Sequence, residues 1–226
     1  MSVVYISALL RLGKKYEIDF FVDQALKCLR FDHPTTLTKW QCIAMPNQYK
    51  KIARTECSEG EDNDDMEDII ALSNKHDIPS ILHAAYLRLI LTYSLETIVS
   101  ESHTPGLSRE DRDKCIVGWD KLSAELRKRR TLWLQGKDLL PAEGCLTSNA
   151  CRMRQWKAMD NFNLWKDFDD NAENFSALPK QELAVFCSKC AKVVRGRHDE
   201  IREEMWQNLP TYFQLEKWED LKDFDK

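Results

Sequence analysis

With 226 residues, 43% of them hydrophobic and 31% charged, the chain is long enough to bury a sizeable core and too apolar to be intrinsically disordered. A net charge of −4 argues against the basic footprint of most nucleic-acid binders, and seven Gly and seven Pro are too few for an all-β protein built on many tight turns. Eight cysteines are too sparse for a disulfide scaffold and read as reduced thiols or metal ligands.

From the N-terminus, Ile6, Leu9, Leu10, Leu12, Gly13 and Tyr16 recur at helical spacing. The apolar Met1–Leu12 run continues this stripe and lacks a small-residue cleavage site, so it is expected to be part of a helix rather than a signal peptide. After a break at Glu17–Asp19, a second helix carries Phe21, Val22, Ala25, Leu26 and Leu29. It is expected to stop near His33, because Pro34 disfavours helix at the residue before it.

Acidic residues crowd the segment Glu56–Asp68, where like-charge repulsion and scarce apolar groups predict a solvated, mobile loop. Its stretch Glu61–Asp65 lacks the glycine and terminal glutamate of a calcium-binding loop. The opening pattern then returns sixty residues on. Leu12-Gly-Lys-Lys-Tyr-Glu-Ile18 lines up with Leu72-Ser-Asn-Lys-His-Asp-Ile78, and Phe21, Val22, Ala25 and Leu29 with Ile81, Leu82, Ala85 and Leu89. Pro79 stands where the second helix of this copy would begin. Two copies of one helical hairpin would bury their apolar faces against neighbours.

The segment 102–107, with Pro105-Gly106, reads as a loop and Ser108 as an N-cap, with Glu110 and Asp111 in the first turn. That helix runs through Cys115, Trp119, Leu122 and Leu126 to about Trp133, and its cationic run Arg127–Arg130 reads as a solvated face, with a nuclear-localisation signal as the alternative. Gly136–Gly144 is irregular; helices follow around Arg152–Phe168 and Pro179–Leu209, joined by the polar Asp169–Ser176. In the aromatic and acidic tail, Trp218 is placed to dock the tail onto the body. The expected fold is all-α: stacked helical hairpins over 1–101, then a C-terminal helical region over 108–226.

Catalytic signatures are not found. There is no Gly-x-Gly, no His-Glu-x-x-His and no Gly-x-Ser-x-Gly, and none of the five histidines sits in a pattern that marks a nucleophile or its base. The chain is therefore expected not to be an enzyme, and no catalytic or cofactor-binding residue is assigned. Most tryptophans fall on helical apolar positions and read as core. Cys28 and Cys115 also sit on helical patterns and read as small core residues.

The remaining pattern of interest is two local cysteine pairs, Cys145 with Cys151 and Cys187 with Cys190. Four soft thiolates are what a structural zinc ion requires. Two other readings compete. Leu183, Phe186, Cys187, Cys190, Val194, Ile201 and Met205 form one helical stripe, which would make Cys187 and Cys190 core residues. A thioredoxin-like redox pair would need a βαβ pattern that this sequence does not show.

Ala8-Leu-Leu-Arg-Leu-Gly-Lys-Lys-Tyr-Glu-Ile18, Arg30-Phe-Asp-His-Pro34, Asp68-Ile-Ile-Ala-Leu72, His76-Asp-Ile-Pro79, Cys115-Ile-Val-Gly118, the paired cysteines and Trp206-Gln-Asn-Leu-Pro210 together resemble, in that order, the BTB/POZ-domain proteins of mushroom-forming fungi. The resemblance covers the end of the BTB domain and the helical region after it. It implies an interaction scaffold or adaptor, without catalytic residues and with protein partners. The strands and earlier helices of the BTB core are not in this sequence, so the chain resembles a truncated or divergent member. The family's BTB-mediated dimerisation and docking to cullin ubiquitin ligases are therefore not assigned to this chain. The alternative expectation is a zinc-stabilised regulatory or nucleic-acid-associated module. An intracellular location, cytoplasmic or nuclear, is expected, without membrane contact. Self-association is left open.

Overall fold

The computed structural model describes residues 2–44, 66–100, 106–132, 139–161, 175, 177–178 and 180–224, and every regular element among them is a helix. The elements are α1 (Val3–Tyr16), α2 (Asp19–Asp32), α3 (Leu37–Ala44), α4 (Met66–His76), α5 (Pro79–Thr92), α6 (Leu95–Val99), α7 (Arg109–Leu132), α8 (Ser148–Asn161), α9 (Lys180–Leu183), α10 (Ser188–Gln207) and α11 (Leu209–Phe213). The all-α expectation holds. None of these helices is long and apolar enough to cross a membrane.

Two compact units divide the chain: Met1–Trp119 with Leu209–Lys226, and Asp120–Asn208. The sequence placed its boundary at the 102–107 loop. The division instead falls within α7, and the tail belongs to the first unit. The reason is visible in the burial: Phe213 packs against Tyr86 of α5 with ring centroids 5.6 Å apart, a contact between residues remote in sequence.

The first unit contains the repeated hairpin. Each copy turns through a residue in the left-handed region, Glu17 at φ 53° and Asp77 at φ 58°. In each, the next amide closes the helix end: Ile18 N–H donates to the Gly13 carbonyl and Ile78 N–H to that of Ser73, both at 2.9 Å. A small residue stands at the same register in both copies because the helices approach there. A Cβ on Gly13 would come within 2.6 Å of Val22 Cγ2. Ser73 is buried, and its hydroxyl donates to the Ile69 carbonyl at 2.7 Å.

The two copies are not equally buried. Ala25 and Leu29 are buried, as are Ala85 and Leu89, but Phe21 and Val22 are half-exposed while Ile81 and Leu82 are buried. α5 packs against α2, α4 and α11, and ten of its fourteen residues are buried. Each fully buried Leu or Ile there contributes roughly 1.5–3 kcal/mol.

The N-terminus of α5 has no local cap, since Ile78 precedes it. The cap comes from the tail. Ser80 N–H donates to Asp223 Oδ1 at 3.1 Å, and the Ser80 hydroxyl to Oδ2 at 2.7 Å. Arg30 Nη2 donates to the same oxygen at 2.6 Å. Trp218 stacks on His83 at 4.2 Å between centroids, and His83 Nε2 bonds the Glu216 carbonyl at 2.8 Å. Phe224 N–H donates to the Asp77 carbonyl at 2.7 Å, and Lys14 Nζ lies 4.3 Å from the Phe224 ring. Trp218 thus docks the tail, as the sequence indicates.

Ser108 caps α7, its Oγ accepting from Asp111 N–H at 3.1 Å. The buried Asp111 carboxylate then accepts from the hydroxyls of Ser108 and Tyr86, each at 2.5 Å, and from Asn74 Nδ2 at 2.9 Å. That network ties α7 to the second hairpin.

Several boundaries differ from expectation. Met66–Asp68, assigned to the acidic loop, are helical: Met66 is buried and Glu67 accepts from Gly106 N–H at 2.8 Å. The rest of that loop lies outside the described residues, as does Cys57. α3 and α6 were not anticipated; both are short, and α3 is pinned by buried Leu37 and Trp40. Cys115 is buried as expected, but Cys28 is half-exposed. α8 begins at Ser148, earlier than Arg152. The single helix expected over Pro179–Leu209 is broken into α9, α10 and α11.

Two outcomes test this packing. A Cβ on Gly118 would collide with the buried Phe213 ring, so Gly118→Ala should destabilise the first unit by about 1–3 kcal/mol, read from urea unfolding. Burial pushes His33 down to about 3 and His83 to about 4, from an ordinary value near 6.5. Both rings are neutral when folded and protonate more readily when unfolded. Stability should therefore be full above about pH 6.5 and fall as the pH drops from there through about 4 to about 3. The urea midpoint should fall between pH 7 and pH 5, and less steeply in His33→Leu; equal slopes for the two proteins would contradict the buried neutral ring.

Candidate metal centre

Four cysteines of the second unit converge. The sulfur atoms of Cys145, Cys151, Cys187 and Cys190 all lie within 4.8 Å of one another. A regular tetrahedron with zinc–sulfur bonds of about 2.3 Å has edges of about 3.8 Å. The Cys145 and Cys187 sulfurs are 3.5 Å apart, already at that scale. The group could hold a metal ion with adjustments of an ångström or less.

Local backbone explains how each thiol reaches the site. Ala142–Cys145 is a tight turn closed by Cys145 N–H on the Ala142 carbonyl at 3.0 Å. Gly144 takes φ +67° within it, which glycine adopts without steric cost. Cys151 sits in the first turn of α8, its N–H donating to the Thr147 carbonyl at 2.9 Å. Cys187 is the N-cap of α10 and Cys190 lies in that helix's first turn.

The break before α10 corrects one sequence reading. Leu183, Phe186, Cys190, Val194, Ile201 and Met205 are buried as that stripe predicts, but Cys187 leaves it. Its backbone is extended, φ −66° and ψ 161°, so its sulfur turns toward Cys145. With no strand among the described residues, the frame of a thioredoxin-like site is not present there.

The surroundings act on the four thiols in both directions. Ala142 N–H donates to Cys190 Sγ at 3.4 Å, and the Thr147 hydroxyl lies 3.3 Å from Cys151 Sγ. Neither partner is marked by the sequence; a hydrogen bond from a backbone amide or a neighbouring hydroxyl leaves no residue signature. The Cys190 amide, with help from neighbouring thiols, draws Cys187 down to about 6, while burial pushes Cys190 up to about 12. Burial also acts to raise Cys151, but hydrogen bonds from the Cys187 amide and Thr147 outweigh it and leave the thiol below its ordinary value. Such a set holds negative charge and shares protons, which a divalent ion would displace on binding.

Cys151 and Cys190 are buried, whereas Cys145 and Cys187 are partly open to solvent. Elsewhere in the second unit, Phe175 packs edge-on against Trp206 with centroids 6.0 Å apart, and Arg202 Nη1 donates to the Phe175 carbonyl at 3.1 Å. Cys42 is exposed and Cys115 is buried in the first unit; neither joins the cluster. No family model matches this chain, and no curated protein or solved structure is similar to it.

Proposed function

We propose that this chain is a non-enzymatic interaction scaffold or adaptor whose second unit is held together by one structural zinc ion. The observation that carries the zinc assignment is the convergence of four sulfur atoms within 4.8 Å, drawn from a turn, the start of α8 and the start of α10. Four thiolates with no histidine or carboxylate make a closed shell of the structural type, which leaves no position for a reacting water. The ion ties an irregular segment to a long helix and substitutes for apolar core that Pro141–Thr147 cannot supply, since none of those residues is fully buried.

The interaction half of the proposal is supported by α1 and α2. Tyr5, Leu12 and Tyr16 recur on one side of α1, and Tyr16 and Phe20 are 59% and 65% exposed. Exposed aromatic side chains of this kind suit a protein-binding face. The sequence resemblance to the helical region of fungal BTB-domain proteins points the same way. The nucleic-acid-associated alternative has weaker support. Arg129 pairs with Glu125 at 2.5 Å and Glu204 at 2.7 Å, and Arg197 with Glu200 at 3.2 Å, which neutralises part of the basic set.

Protein purified without added metal should carry about one zinc per chain by elemental analysis. Strong chelators should lower its melting temperature. Cys→Ser at any of the four positions should lower it by a similar amount, several degrees or more, while Cys42→Ser should leave it unchanged. Less than about 0.2 zinc per chain would end the zinc assignment. For the interaction face, partners recovered with the wild-type chain should be lost with Tyr5→Glu/Tyr16→Glu; an unchanged set of partners would count against that face.

A further inference from the structure

The cysteine cluster has a dry edge and a wet edge. Cys151 and Cys190 have no exposed surface, while Cys145 and Cys187 are partly open. The two open sulfurs are 3.5 Å apart, so forming a disulfide of about 2.05 Å requires them to close by about 1.5 Å. One side has room to move. Cys145 sits between exposed Glu143 and Gly144 and the exposed Leu146–Asn149, with Leu146 itself 96% exposed. The other side is fixed, because Cys187 caps a twenty-residue helix. Closure therefore moves a surface turn and leaves the helix in place.

Resting on the zinc assignment above, we propose that the centre is a peroxide-responsive switch in which the Cys145–Cys187 edge is oxidised to a disulfide and the metal is released. The oxidant is hydrogen peroxide or a small organic peroxide. One of the two thiolates attacks a peroxide oxygen; the O–O bond breaks, hydroxide (or alkoxide) leaves and a sulfenic acid forms. The second thiolate attacks that sulfur, the S–O bond breaks and a second hydroxide leaves as the S–S bond forms. Two electrons pass from the two sulfurs to the two oxygens. The metal loses two anionic donors at once, and the remaining Cys151 and Cys190 cannot complete a tetrahedral shell. Release frees the Ala142–Cys145 turn from α10 and loosens the second unit. Reduction by a dithiol restores both donors.

The test uses the full chain as purified under reducing conditions, in a Cys28→Ser/Cys42→Ser/Cys57→Ser background that leaves the four cluster thiols and the buried Cys115. Zinc content is measured first. Hydrogen peroxide is then added in stoichiometric steps, released zinc is followed with a chromogenic chelator, and unreduced peptides are mapped by mass spectrometry. Release should rise with disulfide formation, about one zinc per disulfide. The bridge should join Cys145 to Cys187, and dithiothreitol with added zinc should reverse the change. Zinc retained with intact thiols, a bridge between Cys151 and Cys190, or sulfinic acids without a bridge would each overturn the switch while leaving the zinc assignment standing. A chain that carries no zinc before peroxide is added would overturn both.

Discussion

Burial of α5 on nearly every side is the constraint around which the first unit is arranged. A helix with apolar residues all round cannot face water and must be enclosed by neighbours. α4 is joined to it by the Asp77 turn, α2 brings the equivalent helix of the first hairpin, and α11 returns from the far end of the chain to place Phe213 beside Tyr86. Gly118 exists at the point where α7 must admit that ring. The polar requirements follow from the same enclosure. The exposed amide end of α5 is met by Asp223, whose carboxylate is 4% exposed and receives Ser80 and Arg30 together.

The second unit solves a different problem. Between Leu140 and Cys151, no residue other than these two is fully buried, so apolar packing alone does not hold the Pro141–Ala150 segment against α10. Four cysteine sulfurs converge at that junction. Each thiol is delivered by a helix start or a tight turn, places where backbone amides point outward and can stabilise anionic sulfur. The Ala142 amide on Cys190 is the direct instance. The same arrangement divides the cluster into two enclosed cysteines and two near the surface.

The first unit has a buried organising helix and an outer hairpin that leaves Tyr16 and Phe20 facing outward, which suits contact with another protein. The second has four converging cysteine sulfurs that could hold a metal ion. An adaptor assembled in this way would join a binding surface to a part whose order depends on metal and redox state.

Local signals were legible in the sequence alone. Helical spacing, the sixty-residue repeat, the Ser108 cap and the pairing of cysteines each depend on residues a few positions apart, and the structure agrees with them. The left-handed φ values of Glu17 and Asp77, 5° apart, and the equal closing hydrogen bonds of Ile18 and Ile78 show that the repeat reflects one turn used twice. Tertiary structure decided what depends on distant partners. The periodicity that placed Cys187 on a continuous stripe says nothing of where a helix stops, and the break lets its sulfur meet Cys145, forty-two residues away. Nor does any neighbour of Ser80 reveal that its cap is Asp223, 143 residues on. Side-chain periodicity is determined by the backbone of one helix, whereas a cap or a ligand shell is completed by whichever group the folded chain brings within about 3 Å.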